Sequence, residues 1–514
     1  MHGSRARYRF GPLERRGLIA GWRGGQIGVV AAGAVLAIVV MRHQPTPLTV
    51  VAAVIVVAAC VAVAWWPIAG RTAEQWLPTV VRWGVTAPLG GRRRRPGVES
   101  AGHCIGADGA PCLVAPAVAR VPGRPHIPAK DAPPSAAARA GPYGGLRVLG
   151  FDAHQTDAPM GVVCDARTKT YTAVMAVLGQ SFALLGGAEK ERRVASWAAV
   201  LTSLSRERSV VHRVQWVATT IPDDGAAVSG HLASHAVLPA DAPARRSYAT
   251  LLDVAGPDTS RHEVHVAVQV RAAGPAARAM RSLGGGDAAG CAVLSREVAS
   301  LRRQLVDADI PVERVLDERS LAAVVRRSVD APPAGGRRCP PCGVSWPWPL
   351  VTEVEWGALH ADGSWHATYW IAEWPRVDVG PEFLGPLLLG PVRRAVAVVM
   401  EPLSSTQAVR HAERARTADI ADAELRRRGG FLSTARRARE AELATHREEE
   451  LADGHASFRF SGYVTVGAAT REQLSVACDA TEQAASQCRL ELRRLYGDQE
   501  RAFTCTLPIA RGLG

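Results

Sequence analysis

The chain of 514 residues carries a formal net charge of +13, with 47% hydrophobic and 21% charged residues. A chain well beyond roughly 250–300 residues outgrows a single core, so two or three units are expected, and the apolar content excludes global disorder. The charge does not make a nucleic-acid binder, because it is local: residues 1–95 hold thirteen Arg, no Lys and two Glu, or +11, which leaves +2 for residues 96–514.

In chain order, residues 1–23 form a basic N-terminal stretch. Two runs without a charged residue follow, Gly24 to Met41 and Leu48 to Trp66, of 18 and 19 residues. At about 1.5 Å per helical residue, each approaches the thickness of a bilayer's hydrocarbon core. The segment Arg42-His43-Gln44-Pro45-Thr46-Pro47 between them is too short for a domain, and its two prolines interrupt a helix, so it is predicted to be a turn. Arg5, Arg7, Arg9, Arg15, Arg16 and Arg23 precede the first run, and Arg71, Arg82 and Arg92 to Arg95 follow the second, which places both flanks in the cytoplasm by the positive-inside rule. The predicted fold class is therefore a membrane α-helical hairpin over residues 24–66 plus cytoplasmic α+β domains. The predicted localisation is the cell (inner or plasma) membrane, multi-pass, with the N-terminus and the C-terminal body cytoplasmic. Trp22, Trp65 and Trp66 fit an interfacial aromatic belt, and residues 67–95 are predicted to include a basic interfacial helix. A second apolar run follows so closely, with no small-residue cleavage site before it, that a removable signal peptide is not expected.

Residues 96–145 are rich in Pro, Ala and Gly and predict a linker. His103, Cys104 and Cys112 within it are too few for a metal site. Residues 146–330 predict an α+β domain. Its elements are a hairpin of Met160 to Ala166 with Tyr171 to Val177, helix Glu189 to Ser205, strand Val210 to Thr220, helix Ser247 to Asp253, strand His262 to Val270, and helices Cys291 to Asp309 and Ser320 to Ser328. Residues 331–349 predict a linker loop with Cys339-Pro340-Pro341-Cys342, a spacing open to a redox pair or half a zinc site. The chain continues past it as loop, through Gly343 to Pro347, so a plain loop pair is the favoured reading. Residues 350–514 predict a second α+β domain with strands Val351 to Trp356, Trp365 to Trp374 and Val392 to Met400. A charged helical hairpin is expected from Ser405 to Leu451, broken at Gly429-Gly430, followed by strand Ala456 to Gly467, helix Arg471 to Ala485 and short strands Cys488 to Leu492 and Phe503 to Leu507.

Pro12-Leu13-Glu14-Arg15-Arg16-Gly17, Gly21, Gln26 and Gly70-Arg71-Thr72-Ala73-Glu74-Gln75-Trp76-Leu77 resemble the PrgI family of two-helix membrane subunits of type IV secretion and conjugation systems. Residues 146–510 resemble the N-terminal domain of conjugative ATPases, most closely from Gly454 to Pro508. The resemblance implies an actinobacterial conjugation-cluster membrane protein. The motor itself is not expected: the only lysines, Lys130, Lys169 and Lys190, lie outside any Gly-x-x-x-x-Gly-Lys-[Ser/Thr] motif, and Gly284-Gly285-Gly286 is predicted to be a turn.

No His-Glu-x-x-His, Gly-x-Ser-x-Gly or paired CxxC motif occurs. His262 and His265 fall on opposite faces of a strand, and His360 and His366 have no evident partners as ligands. No catalytic, cofactor-binding or metal-binding residues are therefore assigned, no cofactor is expected, and the chain is expected not to be an enzyme. The leading expectation is a non-catalytic membrane scaffold of a type IV-like secretion or conjugation apparatus, docking a separate ATPase. Its expected partners are the lipid bilayer, that ATPase and other membrane subunits in an oligomeric complex, without direct nucleic acid. Two alternatives stand beside it: an EccE-like membrane subunit of a type VII secretion system, which also joins two N-terminal helices to a body, and a membrane-anchored thiol redox protein using Cys339 and Cys342.

Overall fold

The computed structural model describes residues 24–43, 46–65 and 73–86, the pairs 93–94, 104–105, 111–112 and 125–126, residues 456–513, and residues 141–428 apart from 153–158, 180–181, 224–225, 240, 256–258, 331–346 and 350. The chain divides into two compact units, one of Phe10–Gly91 with Thr406–His455 and the other of Met1–Arg9, Arg92–Ser405 and Ala456–Gly514. In the smaller unit, helices α1 (Gly24–His43), α2 (Pro47–Trp65) and α3 (Ala73–Thr86) follow one another. Thr46 opens α2: its hydroxyl accepts from the Thr49 amide at 3.3 Å while the Thr49 hydroxyl accepts from the Thr46 amide at 2.9 Å, and Pro47 supplies a preset first turn. Small residues let α1 and α2 meet. Ala37 and Ala53 are buried, and a Cβ added to Gly33 would lie 2.7 Å from the Cys60 sulfur.

Among the described residues no helix is long and apolar enough to cross a membrane. The predicted membrane hairpin is thereby corrected. The prediction rested on charge-free length and flanking arginines, whereas α1 starts on Gly-Gly-Gln with the Gln26 side chain buried and ends on Arg42-His43. The fold that the structure shows is a large antiparallel sheet with helices.

That sheet forms the larger unit. Two-residue strands β1 (Arg93–Arg94), β2 (Cys104–Ile105), β3 (Pro111–Cys112) and β4 (Pro125–His126) come first. Then follow β5 (Leu146–Phe151), β6 (Met160–Asp165), β7 (Thr170–Val177), α4 (Gly187–Leu204), β8 (Val211–Asp223), α5 (Ala226–His235), α6 (Pro243–Ala255), β9 (Thr259–Arg271), α7 (Gly274–Ser282), α8 (Gly286–Asp307), β10 (Val312–Val315) and α9 (Glu318–Val329). After residues 331–346 come β11 (Thr352–Val354), β12 (Leu359–Ala361), β13 (Ser364–Glu373), α10 (Gly385–Leu388) and β14 (Arg394–Leu403). Helix α11 (Ser405–Arg428) belongs mainly to the smaller unit, and β15 (Ser457–Ala468), α12 (Arg471–Gln487), β16 (Glu491–Arg494) and α13 (Gln499–Phe503) complete the larger one. Among the described residues fourteen strands make one sheet in the order β1-β11-β12-β13-β15-β14-β8-β9-β7-β6-β5-β4, with β10 beside β7 and β16 beside β13.

The order contains a repeat. Strands β6-β7-β9-β8 and β12-β13-β15-β14 follow the same path, and β8 meets β14 antiparallel at the centre. In that central ladder Val217 pairs with Ala397, Val214 with Met400, and Thr220 with Arg394. Adding 180 to a β8 number gives its β14 counterpart, and the pairs 214↔400 and 220↔394 then interchange, as they must around a two-fold axis through Val217 and Ala397. The helices obey the same shift. Leu294, Val298, Leu301 and Leu305 of α8 are buried, and so are Leu474, Cys478, Thr481 and Ala485 of α12. Each helix ends on a left-handed residue, Asp309 (φ 61°) or Arg489 (φ 58°). The amides that close the two ends also correspond: Ala308 to Gln304 oxygen and Ile310 to Leu305 oxygen, Cys488 to Ala484 oxygen and Leu490 to Ala485 oxygen.

Two apolar layers flank the sheet. One packs α4, α7 and α8 on β6, β7, β8 and β9 through Val200, Met280, Leu294, Leu301 and Val268. The other gathers Leu321 and Val325 of α9 with Val174, Ala267, Leu359, Phe503 and Leu507. The expected strand Phe503 to Leu507 is not formed. Residues 499–503 are helical and the chain then turns, because the Thr504 and Thr506 hydroxyls donate to the carbonyls of Arg501 and Phe503, three residues back. The expected strand at Cys488 begins later, at Glu491, since Cys488 caps α12.

Candidate functional site

Helix α12 is positioned by its ends. Thr470 and Gln473 form a reciprocal capping box that satisfies two first-turn amides, and Leu474, Cys478, Thr481 and Ala485 seat the helix on β13 and β15. One flank of it stays open. Glu472, Gln473, Val476, Ala477 and Ala480 face Ile221, Pro222, Pro391, Val392, Arg393 and Gly467 to Ala469 across a mostly apolar groove of about 630 Å³. Val476 is 70% exposed there.

In the first repeat two further helices pack on the equivalent helix. Helix α7 follows β9 directly, packs on α8 and buries Ala276 and Met280, and the eighteen-residue α4 also packs on α8. In the second repeat only Ala469 and Thr470 separate β15 from α12, and the four-residue α10 takes the place of α4.

Arg393 precedes β14 and Arg394 begins it. Arg393 closes the end of α9, donating from Nη2 to the carbonyls of Arg327 and, at 2.6 Å, of Asp330. Burial lowers its pKa to about 10, with Asp330 opposing the shift. Arg394 is 3% exposed, and its Nε and Nη2 have no hydrogen-bond partner among the described residues. Burial lowers its pKa, and Cys488 opposes that shift. Its counterpart in the first repeat is Val214, an apolar residue 1% exposed.

The histidines and cysteines singled out by sequence do not converge. His262 bonds the Thr220 hydroxyl through Nδ1 at 3.2 Å, while His265 is buried on the opposite face of β9. His360 stacks on Trp365 with ring centroids 4.6 Å apart. His366 is buried with Nε2 2.8 Å from the Val329 carbonyl, which can only accept, so Nε2 carries the proton, and burial depresses its pKa to about 3. Cys339 and Cys342 lie outside the described residues, as do His103 and residues 429–451 of the expected helical hairpin. Cys104 and Cys112 stand opposite each other in the β2–β3 pair. Gly284, Gly285 and Gly286 all have positive φ and make the turn between α7 and α8. Among the described residues no group of three or more His, Cys, Asp or Glu could hold a metal ion.

One buried thiol does have polar company. Asp287 in the first turn of α8 accepts from Tyr171 at 2.9 Å and from Arg147 at 3.0 Å, and Cys164 lies 3.8 Å from it. Burial, reinforced by Asp287 and opposed by Arg147, pushes the Cys164 thiol up to about 11, so the nucleophilic thiolate is scarce at neutral pH. The cluster seats α8, and Gly290 allows it: a Cβ there would come 2.5 Å from the Tyr171 ring.

Sequence reasoning also missed how residues 505–513 are held. Gln215 donates to the Cys505 carbonyl at 2.8 Å and accepts from the Ala510 amide at 2.7 Å, Gln269 donates to the Ile509 carbonyl at 3.2 Å, and Arg213 donates to the Leu513 carbonyl at 2.6 Å. Arg511 pairs with Asp165 at 2.7 Å. Burial works against ionisation of Asp165, but the Arg511 bond and charge outweigh it and leave its pKa lowered. A visible signal was present in the polar residues Gln215 and Gln269 at positions where alternation demanded burial. A second was Val476, an apolar residue off the buried stripe of its helix.

Comparison with known proteins gives one family. A model described as "Putative type VII ESX secretion system translocon, EccE" matches residues 259–371, from the start of β9 into β13. No curated protein matches the chain. The match supports the EccE-like alternative, and the resemblance to PrgI subunits and conjugative ATPases finds no support.

Proposed function

We propose that the chain is a membrane-associated, non-catalytic subunit of a type VII secretion assembly, holding other subunits of that assembly together. The observation that carries this reading is the EccE match over residues 259–371, which bridges the two repeats of the sheet. The exposed apolar side chains of the smaller unit agree with it. Val35, Ile38, Val54 and Ile55 are each 60% exposed or more, and apolar surface of that kind is ordinarily covered by lipid or protein. Thirteen arginines within residues 1–95 would favour an anionic membrane surface.

A gene deletion tests the role. Export of the type VII substrates of the same cell is expected to stop and to return on complementation, with the protein recovered in the membrane fraction. Undiminished export would contradict the reading.

A further inference from the structure

Between β8 and β9 the chain leaves the sheet as α5 and α6, which pack on each other. Helix α5 has 10 residues. That is short of the roughly 12–15 an isolated helix needs in water, and none of its described side chains is buried, so apolar burial does little to hold it. Its C-terminal part carries His231 and His235, four residues apart and therefore on one face. Both are exposed, and their rings stack with centroids 4.3 Å apart and planes 18° apart. The proton of His235 can be placed. The Ser234 hydroxyl has a single hydrogen, which it donates to the Gly230 carbonyl at 2.8 Å, so at 2.8 Å from His235 Nδ1 it accepts. The His231 carbonyl, 3.3 Å from the same nitrogen, can also only accept. Nδ1 therefore carries the hydrogen, and Nε2 is left with the lone pair.

From this we infer that His231 and His235 chelate a divalent transition-metal ion of the zinc or copper class, which clips the last turn of α5. A histidine whose second nitrogen donates to a neighbouring oxygen is the usual form of a metal-bound imidazole. An ion with metal–nitrogen bonds of about 2.0–2.1 Å in a tetrahedral site sets two ligand nitrogens about 3.3 Å apart, a spacing that exposed rings 4.3 Å apart reach by side-chain rotation. The location also favours a cation, because His235 is the final residue of α5 and the carbonyls of a last turn direct negative charge outward. Two protein ligands leave the remaining positions to water. The site does not depend on which assembly the chain serves.

The test is hydrogen exchange on the full chain in detergent, with zinc chloride as the probe. Exchange at the α5 amides should slow progressively as zinc is added, by about tenfold at ten times the half-effect concentration, because the ion binds the closed turn and not the open one. His231→Gln and His235→Gln should each remove that slowing. Glutamine favours a helix at least as well as histidine, so exchange without zinc should be no faster in either variant, and the lost response reports on the ligand. Exchange at α5 that stays unchanged with zinc in the millimolar range would overturn the inference. So would slowing that survives in both glutamine variants, because the ion would then sit on other groups.

Discussion

The first repeat packs α4 and α7 against α8, whereas the second leaves α12 with a short α10 and an open flank, although both helices ride on the same four-strand path and end on the same left-handed turn. The strands and the helix that seats on them are thus the shared skeleton, and the connections between them are where the halves diverge. One half has spent its connections on covering itself. The other leaves one flank of its helix facing outward.

The comparison can be strained in several places. Leu294 and Leu474 are equivalent and both 0% exposed, so truncating either to alanine should cost about 2–5 kcal/mol of unfolding free energy by denaturant titration. A near-neutral Leu474→Ala would show that the second helix is not seated as the first is. Gln215→Ala removes both ends of the clasp on residues 505–513 and leaves a buried amide and carbonyl unpaired, at an expected cost of about 1–3 kcal/mol. Hydrogen exchange at Ala510 should accelerate in that variant, and unchanged protection would mean the segment is held by packing alone.

A smaller effect concerns the central ladder, where Arg394 stands opposite the symmetry of Val214. Exchanging a buried guanidinium whose Nε and Nη2 lack hydrogen-bond partners among the described residues for an apolar side chain of similar length, Arg394→Met, should raise stability by about 1–2 kcal/mol. A loss instead would show that the charge is matched in the folded chain.

The smallest effect is the pH response of His366. Its folded pKa of about 3 lies below the unfolded value, so the unfolded state binds more protons between those values and stability falls as the pH is lowered through them. The expected loss from pH 7 to 5.5 is about 1 kcal/mol, absent in His366→Gln. A histidine-independent slope would contradict the buried, neutral imidazole.

Much of the sheet was legible in the sequence. Long alternating segments such as Thr259–Arg271 and Ser364–Glu373 carry their period openly, and α8 and α12 show their apolar stripes, so these elements were found to within a few residues. Helix α7 was missed because its glycine and proline start and its small residues leave only Ala276 and Met280 to mark a face. The strand expected at Phe503 failed for a different reason. Threonines favour strands by propensity, but Thr504 and Thr506 bond their own backbone and hold a turn. The groove was least legible, since it arises where β8, β14, β15 and α12 meet over a long sequence separation and because a two-residue connection omits a helix that the other repeat contains. The membrane hairpin was read from charge-free length, flanking arginines and neighbouring tryptophans, a reading that left out the polar ends of α1.

The most direct measurement is native electrophoresis of detergent-solubilised membranes from cells carrying the tagged chain at its own locus. Migration far above the size of a single chain, together with other type VII subunits identified by mass spectrometry, is the predicted result. Recovery of the whole pool from the soluble fraction as a single chain without those subunits would contradict it.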